Sequence, residues 1–156
     1  MIEKLEGLIS ELGEMNSKLI LLVGPSEGDG SGKTALLRIL SERSQVAQLN
    51  VGLELGRRLS SISIKKRAFS ASELLRELAD QYGAGGLLLL DNIELLFDKD
   101  LHVNPLNLLK GLAHAKKVVA VWPGNYMDGR LIYAEMGHSE YRDYGCDGLV
   151  VFETTA

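Results

Sequence analysis

The stretch Leu22-Val-Gly-Pro-Ser-Glu-Gly-Asp-Gly-Ser-Gly-Lys-Thr34 decides how this sequence of 156 residues is interpreted. The run from Leu19 to Val23 just before and inside it is apolar at every position. Such a run predicts a strand that is buried on both faces. From Thr34 to Arg43 the apolar residues recur at helical spacing. The sequence therefore predicts a glycine-rich loop between a buried strand and the start of a helix.

This loop has the composition that phosphate binding requires. Several backbone N–H groups must point at one place, and glycines let the chain wrap closely because they carry no Cβ. The helix start adds free N–H groups and the positive end of its dipole. We therefore predict a P-loop in which Lys33 reaches the β and γ phosphates of ATP and the Thr34 hydroxyl ligates Mg²⁺. The residues expected to hold the nucleotide are Gly24, Gly30, Ser31, Gly32, Lys33, Thr34 and Ala35.

The loop departs from the standard P-loop in its length. The usual spacing places the first glycine at position 27, which is Glu27, whereas Gly24 lies three residues further upstream. Glu27 and Asp29 also bring carboxylates near a site meant for a polyanion. Either this Glu-Gly-Asp bulge points outward and residues 30–34 keep the phosphate cradle, or nucleotide affinity is weakened. A flexible turn with a chance Gly-Lys-Thr is the third interpretation.

The rest of the chain alternates strands and helices. Such alternation, with strands that are apolar throughout, indicates a parallel sheet covered on both faces. We predict an α/β, three-layer, P-loop NTPase-like fold with a mainly parallel sheet of about five strands, in one domain over residues 1–156. Besides the elements around the loop, we expect an amphipathic helix at 2–15, strands at 46–51, 87–90, 118–122 and 149–152, and helices at 53–59, from a capping box at Ser70–Glu73 to Tyr82, and from Pro105.

Two carboxylates follow the apolar run Leu87 to Leu90. Asp91 comes directly after it, and an acid at the end of a buried strand is what a P-loop site needs to support its magnesium. The alternative is an aspartate that caps the turn after the strand. Glu94 is the candidate general base for hydrolysis, and it could equally be a solvated helix residue.

Candidates for contacts to the γ phosphate lie further along the chain. Asn125 follows the run from Val118 to Trp122 and could sense the γ phosphate, although Pro123-Gly-Asn125 is also a turn-forming sequence. An arginine finger could be Arg130 or Arg142, or could come from another subunit.

Composition and charge limit the other possibilities. The sequence is 46% hydrophobic and 24% charged, which is typical of a single soluble domain. It has a single cysteine, its start lacks the order of a signal peptide, and its longest apolar runs are far shorter than the roughly 20 residues of a membrane-spanning helix. We therefore expect a cytoplasmic protein that makes no membrane contact.

The net charge of −4 is distributed unevenly along the sequence. Residues 57–67 carry five positive charges and no negative one, so the remainder of the chain carries −9. Clustered Lys and Arg release counterions when they bind phosphates, so this segment could contact DNA or an acidic partner. A solvated face is the alternative. The residues concerned are Arg57, Arg58, Lys65, Lys66 and Arg67.

Together with the P-loop, several stretches resemble BrxF, the small P-loop protein of type III BREX phage-defence systems. They are Asn50-Val-Gly-Leu-Glu-Leu-Gly-Arg-Arg-Leu59, Leu90-Asp-Asn-Ile-Glu-Leu-Leu-Phe97, Asn104-Pro-Leu-Asn-Leu-Leu-Lys-Gly111, Trp122-Pro-Gly and Tyr133-Ala-Glu-Met-Gly-His-Ser-Glu-Tyr141. The resemblance implies a bacterial or archaeal defence protein that acts with other BREX components, among them a large ATPase, an alkaline-phosphatase-like protein, a DNA methyltransferase and a helicase. The family's P-loop carries over to Gly24, Gly32, Lys33 and Thr34, and its strand-end acid to Asp91.

The sequence thus favours a protein that binds ATP and Mg²⁺ and hydrolyses ATP slowly or only when it is assembled with partners or with copies of itself. Lys33 and Glu94 are its expected catalytic residues, and Thr34 and Asp91 its expected metal ligands. One alternative is a non-hydrolysing adaptor that uses the basic 57–67 segment. Another is a small nucleotide kinase, although its arginine-bearing lid would normally follow the Asp91 strand rather than precede it.

Overall fold

From Ile2 to Val121, strands are separated by helices, as the sequence predicts. The computed structural model describes residues 1–12, 18–24, 32–133, 142–145 and 149–154, with the backbone alone for Arg142. The helices are α1 (Ile2–Glu11), α2 (Lys33–Ser44), α3 (Val51–Leu59), α4 (Ile64–Tyr82) and α5 (Pro105–Leu112), with 3₁₀ turns η1 (Ile93–Phe97) and η2 (Lys99–Leu101). The strands are β1 (Leu19–Val23), β2 (Gln48–Asn50), β3 (Leu87–Asp91), β4 (Lys117–Val121), β5 (Asn125–Met127), β6 (Arg130–Tyr133), β7 (Arg142–Gly145) and β8 (Val150–Glu153).

Five strands form one parallel sheet in the order β2-β3-β4-β1-β8. The mainly parallel sheet of about five strands is therefore confirmed. Strand β1 lies between β4 and β8, with Leu21 opposite Ala120 on one side and Val151 on the other. The strand that ends in Asp91 is separated from β1 by β4.

Helices cover both faces of this sheet. Because successive strand side chains point to opposite faces, β1 sends Ile20 and Leu22 into one core and Leu21 into the other. The first core contains the apolar sides of α1 and α2, and the second contains those of α3, α4 and α5. Burial of each such leucine or isoleucine contributes about 1.5–3 kcal/mol, so the two cores hold the layers together.

Most element boundaries differ from the prediction by one or two residues, and two of the differences have a clear physical reason. Strand β2 is shorter than expected because Asn50 ends it: the Asn50 Oδ1 accepts a hydrogen bond from the Leu53 N–H at 3.0 Å and caps α3. The predicted helix start at Ser70 is wrong. Helix α4 begins at Ile64, and Ser70 lies inside it, because no glycine or proline interrupts residues 64–82. The predicted end at Tyr82 is confirmed.

A second, antiparallel sheet, which the sequence did not reveal, consists of β5, β6 and β7. The buried Trp122 holds this ribbon to the main domain, since its Nε1 donates to the carbonyl oxygens of Asn125 and Ile132, each at 3.2 Å. Phe97 packs edge-on against Trp122 at 5.4 Å between ring centroids and stacks on Tyr133 at 4.0 Å. The ribbon is therefore fixed at the carboxyl end of β4.

The ends of the chain add two observations. The predicted N-terminal helix is present as α1, and residues 13–15 of that prediction lie outside the described residues. Across the ranges that the structure describes, none of the helices has the length and apolar character needed to cross a bilayer.

Candidate functional site

The carboxyl ends of β1 and β4 lie side by side in the sheet, and we call the space beside them the β1–β4 crevice. The chain leaves β1 toward α2 on one face of the sheet and leaves β4 toward the ribbon on the other face. In open parallel sheets, ligands bind where neighbouring strands send their connections to opposite faces. This rule points to the β1–β4 crevice as the candidate site.

Lys33 bridges the crevice. It is the first residue of α2, it is only 6% exposed, and its Nζ donates a hydrogen bond to the carbonyl oxygen of Trp122 at 2.7 Å. Burial lowers the pKa of Lys33, while the negative charges of Glu94 and Asp91 act in the opposite direction. A buried ammonium close to two carboxylates is costly to maintain for stability alone, and such groups concentrate at functional sites.

A glycine starts α2 just before this lysine. Gly32 has φ of 72° and ψ of −123° at the N-cap position, a region that residues with a Cβ rarely adopt. The Gly32 carbonyl accepts the first helical hydrogen bond, from the Leu36 N–H at 2.9 Å. The sequence Gly-Lys-Thr therefore sets the direction in which Lys33 enters the crevice.

Asp91 and Glu94 reach the same site from β3 and η1. Asp91 ends β3, and its Oδ1 accepts a hydrogen bond from the Asn92 N–H at 2.8 Å. Asn92 is left-handed, with φ of 53°, and this turn leads directly into η1, where Glu94 is the second residue. Both carboxylates interact electrostatically with Lys33, so the fold brings together three residues that the sequence singled out.

The pKa of Glu94 is raised. Partial loss of water around the carboxyl is the largest cause, and the negative charge of Asp91 adds to it, whereas a backbone hydrogen bond and the charge of Lys33 lower the pKa. The side chain as a whole is exposed, which leaves the carboxyl accessible to a water molecule. A carboxylate with a raised pKa is a better proton acceptor than an ordinary one.

A set of residues that sequence reasoning missed supports this turn. The Asn50 Oδ1 accepts a hydrogen bond from Asn92 Nδ2 at 3.1 Å, and the Gly52 N–H donates to the Asn92 carbonyl at 2.9 Å. A Cβ at position 52 would lie 2.5 Å from Asn92 Nδ2, so a larger residue there would displace the amide that bonds to Asn50. The signal that could have found them is an asparagine between a strand and a helix, which is a common N-cap.

Gly24 starts the loop in close contact with β8. Its φ is 151°, and a Cβ there would overlap the Thr154 hydroxyl and lie 2.8 Å from the Thr154 carbonyl oxygen. Thr154 is buried and donates to the Val23 carbonyl from its N–H at 2.8 Å and from its Oγ1 at 3.1 Å. Gly24 is therefore required by packing as well as by the predicted phosphate loop.

The predicted metal ligands supply suitable donors. Thr34 is half-buried in the first turn of α2, as is its neighbour Ala35, and Asp91 is half-buried at the end of β3. Hydroxyl and carboxylate oxygens suit Mg²⁺, which usually keeps several waters and takes only one or two protein carboxylates. Among the residues that the structure describes, His, Cys, Asp and Glu do not form a group of three or more that could hold a metal ion. The hydroxyl of Thr34 and the carboxylate of Asp91 are thus donors of a kind that magnesium accepts.

Other predicted residues lie elsewhere or outside the described ranges. Gly30 and Ser31 lie outside them, as do Glu27 and Asp29. Asn125 is exposed at the start of β5, where it lines a cavity together with Gly24. Arg130 pairs with Asp143 through Nε and Oδ1 at 2.6 Å, and the side chain of Arg142 lies outside the description.

The basic 57–67 segment divides into two parts. Its three arginines contact the protein itself: Arg57 lies 3.8 Å from Glu54, Arg58 lies 3.4 Å from Glu77, and the Arg67 Nε donates to two backbone carbonyls. Lys65 and Lys66 are exposed in the first turn of α4. Phe69, one turn further along, is 87% exposed.

Comparison with known proteins adds no family assignment. No protein-family model matches the chain, and no curated protein matches it significantly.

Proposed function

We propose that the β1–β4 crevice binds ATP with Mg²⁺ and that the protein hydrolyses ATP slowly or when stimulated by a partner. The observation that carries this proposal is the buried Lys33 ammonium, which lies against the Trp122 carbonyl and interacts with Asp91 and Glu94. The phosphates of ATP can replace the carbonyl as the partner of the ammonium. A polyanion compensates a desolvated cation more fully than a neutral carbonyl oxygen does.

Each residue then has one role. Lys33 binds the β and γ phosphates, and Thr34 and Asp91 hold magnesium, which when bound neutralises phosphate charge. Glu94 orients the attacking water and accepts its proton. The water oxygen forms a bond to the γ phosphorus, the bond from that phosphorus to the β–γ bridging oxygen breaks, and ADP and phosphate leave. Arg130, Arg142 or an arginine of a second subunit is the candidate for a stabilising finger.

The biological setting rests on the resemblance to BrxF. It supports a role in BREX phage defence, in which other BREX components are the partners that stimulate turnover. Supply of an arginine by a partner is consistent with the ion pair that already engages Arg130.

Binding and turnover test this proposal separately. Calorimetry with Mg-ATP should show binding to the wild type and to Glu94→Gln but not to Lys33→Ala. Phosphate release, measured with and without DNA, should fall at least about 100-fold in Glu94→Gln because a general base is lost. Unchanged binding by Lys33→Ala would overturn the proposal, and phosphate transfer to a nucleoside monophosphate would identify a nucleotide kinase instead.

A second candidate function is favoured by the exposed part of the basic segment. Lys65, Lys66 and Phe69 share one side of α4, because residues three and four positions apart on a helix are neighbours. Phosphate-binding lysines beside an aromatic ring are suited to single-stranded nucleic acid. A non-hydrolysing adaptor could use this α4 surface, defined by these three residues, to contact DNA.

The salt dependence of DNA binding tests whether the α4 surface contacts DNA, as the adaptor function requires. If both lysines contact phosphates, the double variant Lys65→Ala with Lys66→Ala should reduce the slope of log affinity against log salt by about 1.4 for a single strand. Lys4→Ala with Arg38→Ala is the matched control, because both residues are exposed on α1 and α2, on the opposite face of the sheet. Equal slopes in both variants would exclude this surface.

A further inference from the structure

A cavity of about 360 Å³ lies beside the start of the predicted phosphate loop. Three of its lining residues, Gly24, Glu153 and Thr154, come from the carboxyl ends of β1 and β8. Three more come from β5, namely Asn125, Tyr126 and Met127. This volume lies within the range of about 300–1,000 Å³ that is typical of small-molecule sites.

The position of the cavity relative to the crevice suggests one extended ligand site. Strand β1 has β8 on one side and β4, followed by β3, on the other. The cavity therefore lies across β1 from Asp91. Gly24, at one end of the loop, lines the cavity, and Lys33, just after the other end, reaches the crevice. A ligand with its anionic end at Lys33 can extend past the carboxyl end of β1 and place its other end in the cavity.

The lining residues match the chemistry of a nucleobase. Tyr126 offers a flat ring and Met127 a polarizable thioether, and aromatic rings and sulfur both pack well on the face of a base. Asn125 and Glu153 add an amide and a carboxylate that can pair with polar groups on the edge of a base. Inorganic phosphate or polyphosphate would use none of these groups.

The ribbon is held firmly enough to present β5 as a binding wall. The hydrogen bonds from Trp122 Nε1 to the carbonyls of Asn125 and Ile132 join β5 and β6 to the core. A Cβ at Gly124, just before β5, would overlap the Ile132 carbonyl oxygen, so the chain approaches β6 closely at the point where β5 begins. This wall is therefore built into the fold.

We propose that the cavity between β1, β8 and β5 is the nucleobase subsite of the nucleotide, with the base against Tyr126 and an exocyclic amino group donating to Glu153. The proposal rests on the proposed function, because the phosphates of the same ligand must occupy the crevice. It assigns a role to the ribbon, whose strand β5 supplies Asn125, Tyr126 and Met127 to the lining. An amino-bearing purine such as adenine is selected, since a keto oxygen at that place would meet the carboxylate's negative charge.

Three ligands separate the two parts of the site. Mg-ATP, Mg-inosine triphosphate and Mg-tripolyphosphate are titrated by calorimetry into the wild type, Tyr126→Ala, Tyr126→Leu, Glu153→Ala and Lys33→Ala. Tyr126→Leu is included because Tyr126 also packs on the core, and leucine keeps an apolar side chain there while removing the ring. Tyr82→Ala, a half-buried tyrosine at the end of α4, is the matched control.

The expected result is selective. Both Tyr126 variants should bind ATP about tenfold more weakly or worse and keep the wild-type affinity for tripolyphosphate, and Glu153→Ala should reduce the preference for ATP over inosine triphosphate. Unchanged ATP affinity in both Tyr126 variants, or equal wild-type affinity for ATP and tripolyphosphate, would overturn the subsite while leaving the phosphate crevice intact. If none of the three ligands binds the wild type, the proposed function and the subsite both fail.

Discussion

Lys33 and the 57–67 segment are both cationic, but Lys33 is buried, whereas the charges of the segment lie at the surface. Lys33 is buried, its pKa is lowered by that burial, and two carboxylates interact with it. In the 57–67 segment, three arginines contact neighbouring protein groups, and Lys65 and Lys66 are exposed. A buried charge needs compensation from a partner or a ligand, whereas a solvated charge does not. The density of charge in a sequence is therefore a weaker indicator of a site than the environment of one charged group.

Substitution of Lys33 should have the largest effect in this comparison. Lys33→Met should weaken Mg-ATP binding at least about 100-fold, equivalent to about 2.8 kcal/mol, because the charged partner of the phosphates is lost. The melting temperature without ligand should not fall by more than a few degrees, since methionine fills much of the same space and needs no compensation. Calorimetry and thermal unfolding measure the two effects. A large loss of stability together with unchanged binding would mean that Lys33 serves the fold alone.

Alanine substitutions at two glycines should show that the chain is more tightly packed at the start of the predicted phosphate loop than in α3. Gly24→Ala should destabilise the protein by at least about 2 kcal/mol, because the new Cβ overlaps the Thr154 hydroxyl and the backbone would be strained at φ of 151°. Gly56→Ala, in the helix that leads into the basic segment, should stabilise it by up to about 1 kcal/mol, since its Cβ would meet Leu95 Cδ2 at an ordinary 3.8 Å. Urea unfolding at equilibrium measures both. Equal effects would contradict the difference in packing.

The pH dependence of stability tests the environment of Glu94. Its raised pKa means that the folded state holds more protons than the unfolded state just above the ordinary value of 4.5. The free energy of unfolding should therefore fall as the pH rises through that window, and Glu94→Gln should remove this contribution. Denaturant unfolding of both proteins across the acidic range measures it. If Glu94→Gln shows the same pH dependence as the wild type, Glu94 does not have the environment described above.

The smallest effect on stability and ATP affinity is expected from the exposed lysines of the 57–67 segment. Lys65→Ala with Lys66→Ala should change the free energy of unfolding by no more than about 0.5 kcal/mol and leave Mg-ATP affinity unchanged, because both side chains are exposed. Chemical unfolding and calorimetry of the same preparation measure both quantities. A loss of ATP affinity in this variant would show that the two cationic regions are coupled.

Much of the fold could be predicted from local sequence. The apolar runs of β1, β3 and β4 predicted buried strands, and Pro105 marked the start of α5, because burial and the first turn of a helix leave local patterns. The ribbon could not be predicted in this way, since β5, β6 and β7 are three or four residues long and obtain their stability from Trp122 and its aromatic neighbours. The start of α4 was placed too late because Ser70 and Glu73 match the pattern of a capping box. Both residues lie inside the helix, which begins at Ile64.

The same division applies to the candidate site. The sequence by itself determined that Lys33 follows a glycine-rich turn and that Asp91 follows a buried strand, since both depend on residues close together in the chain. Only the tertiary structure decided that β4 lies between β1 and β3, that the Trp122 carbonyl accepts from Lys33, and that Asn50 supports Asn92. The physical reason is that strand order and the burial of a charge depend on contacts between distant segments, which leave no periodic pattern in the sequence.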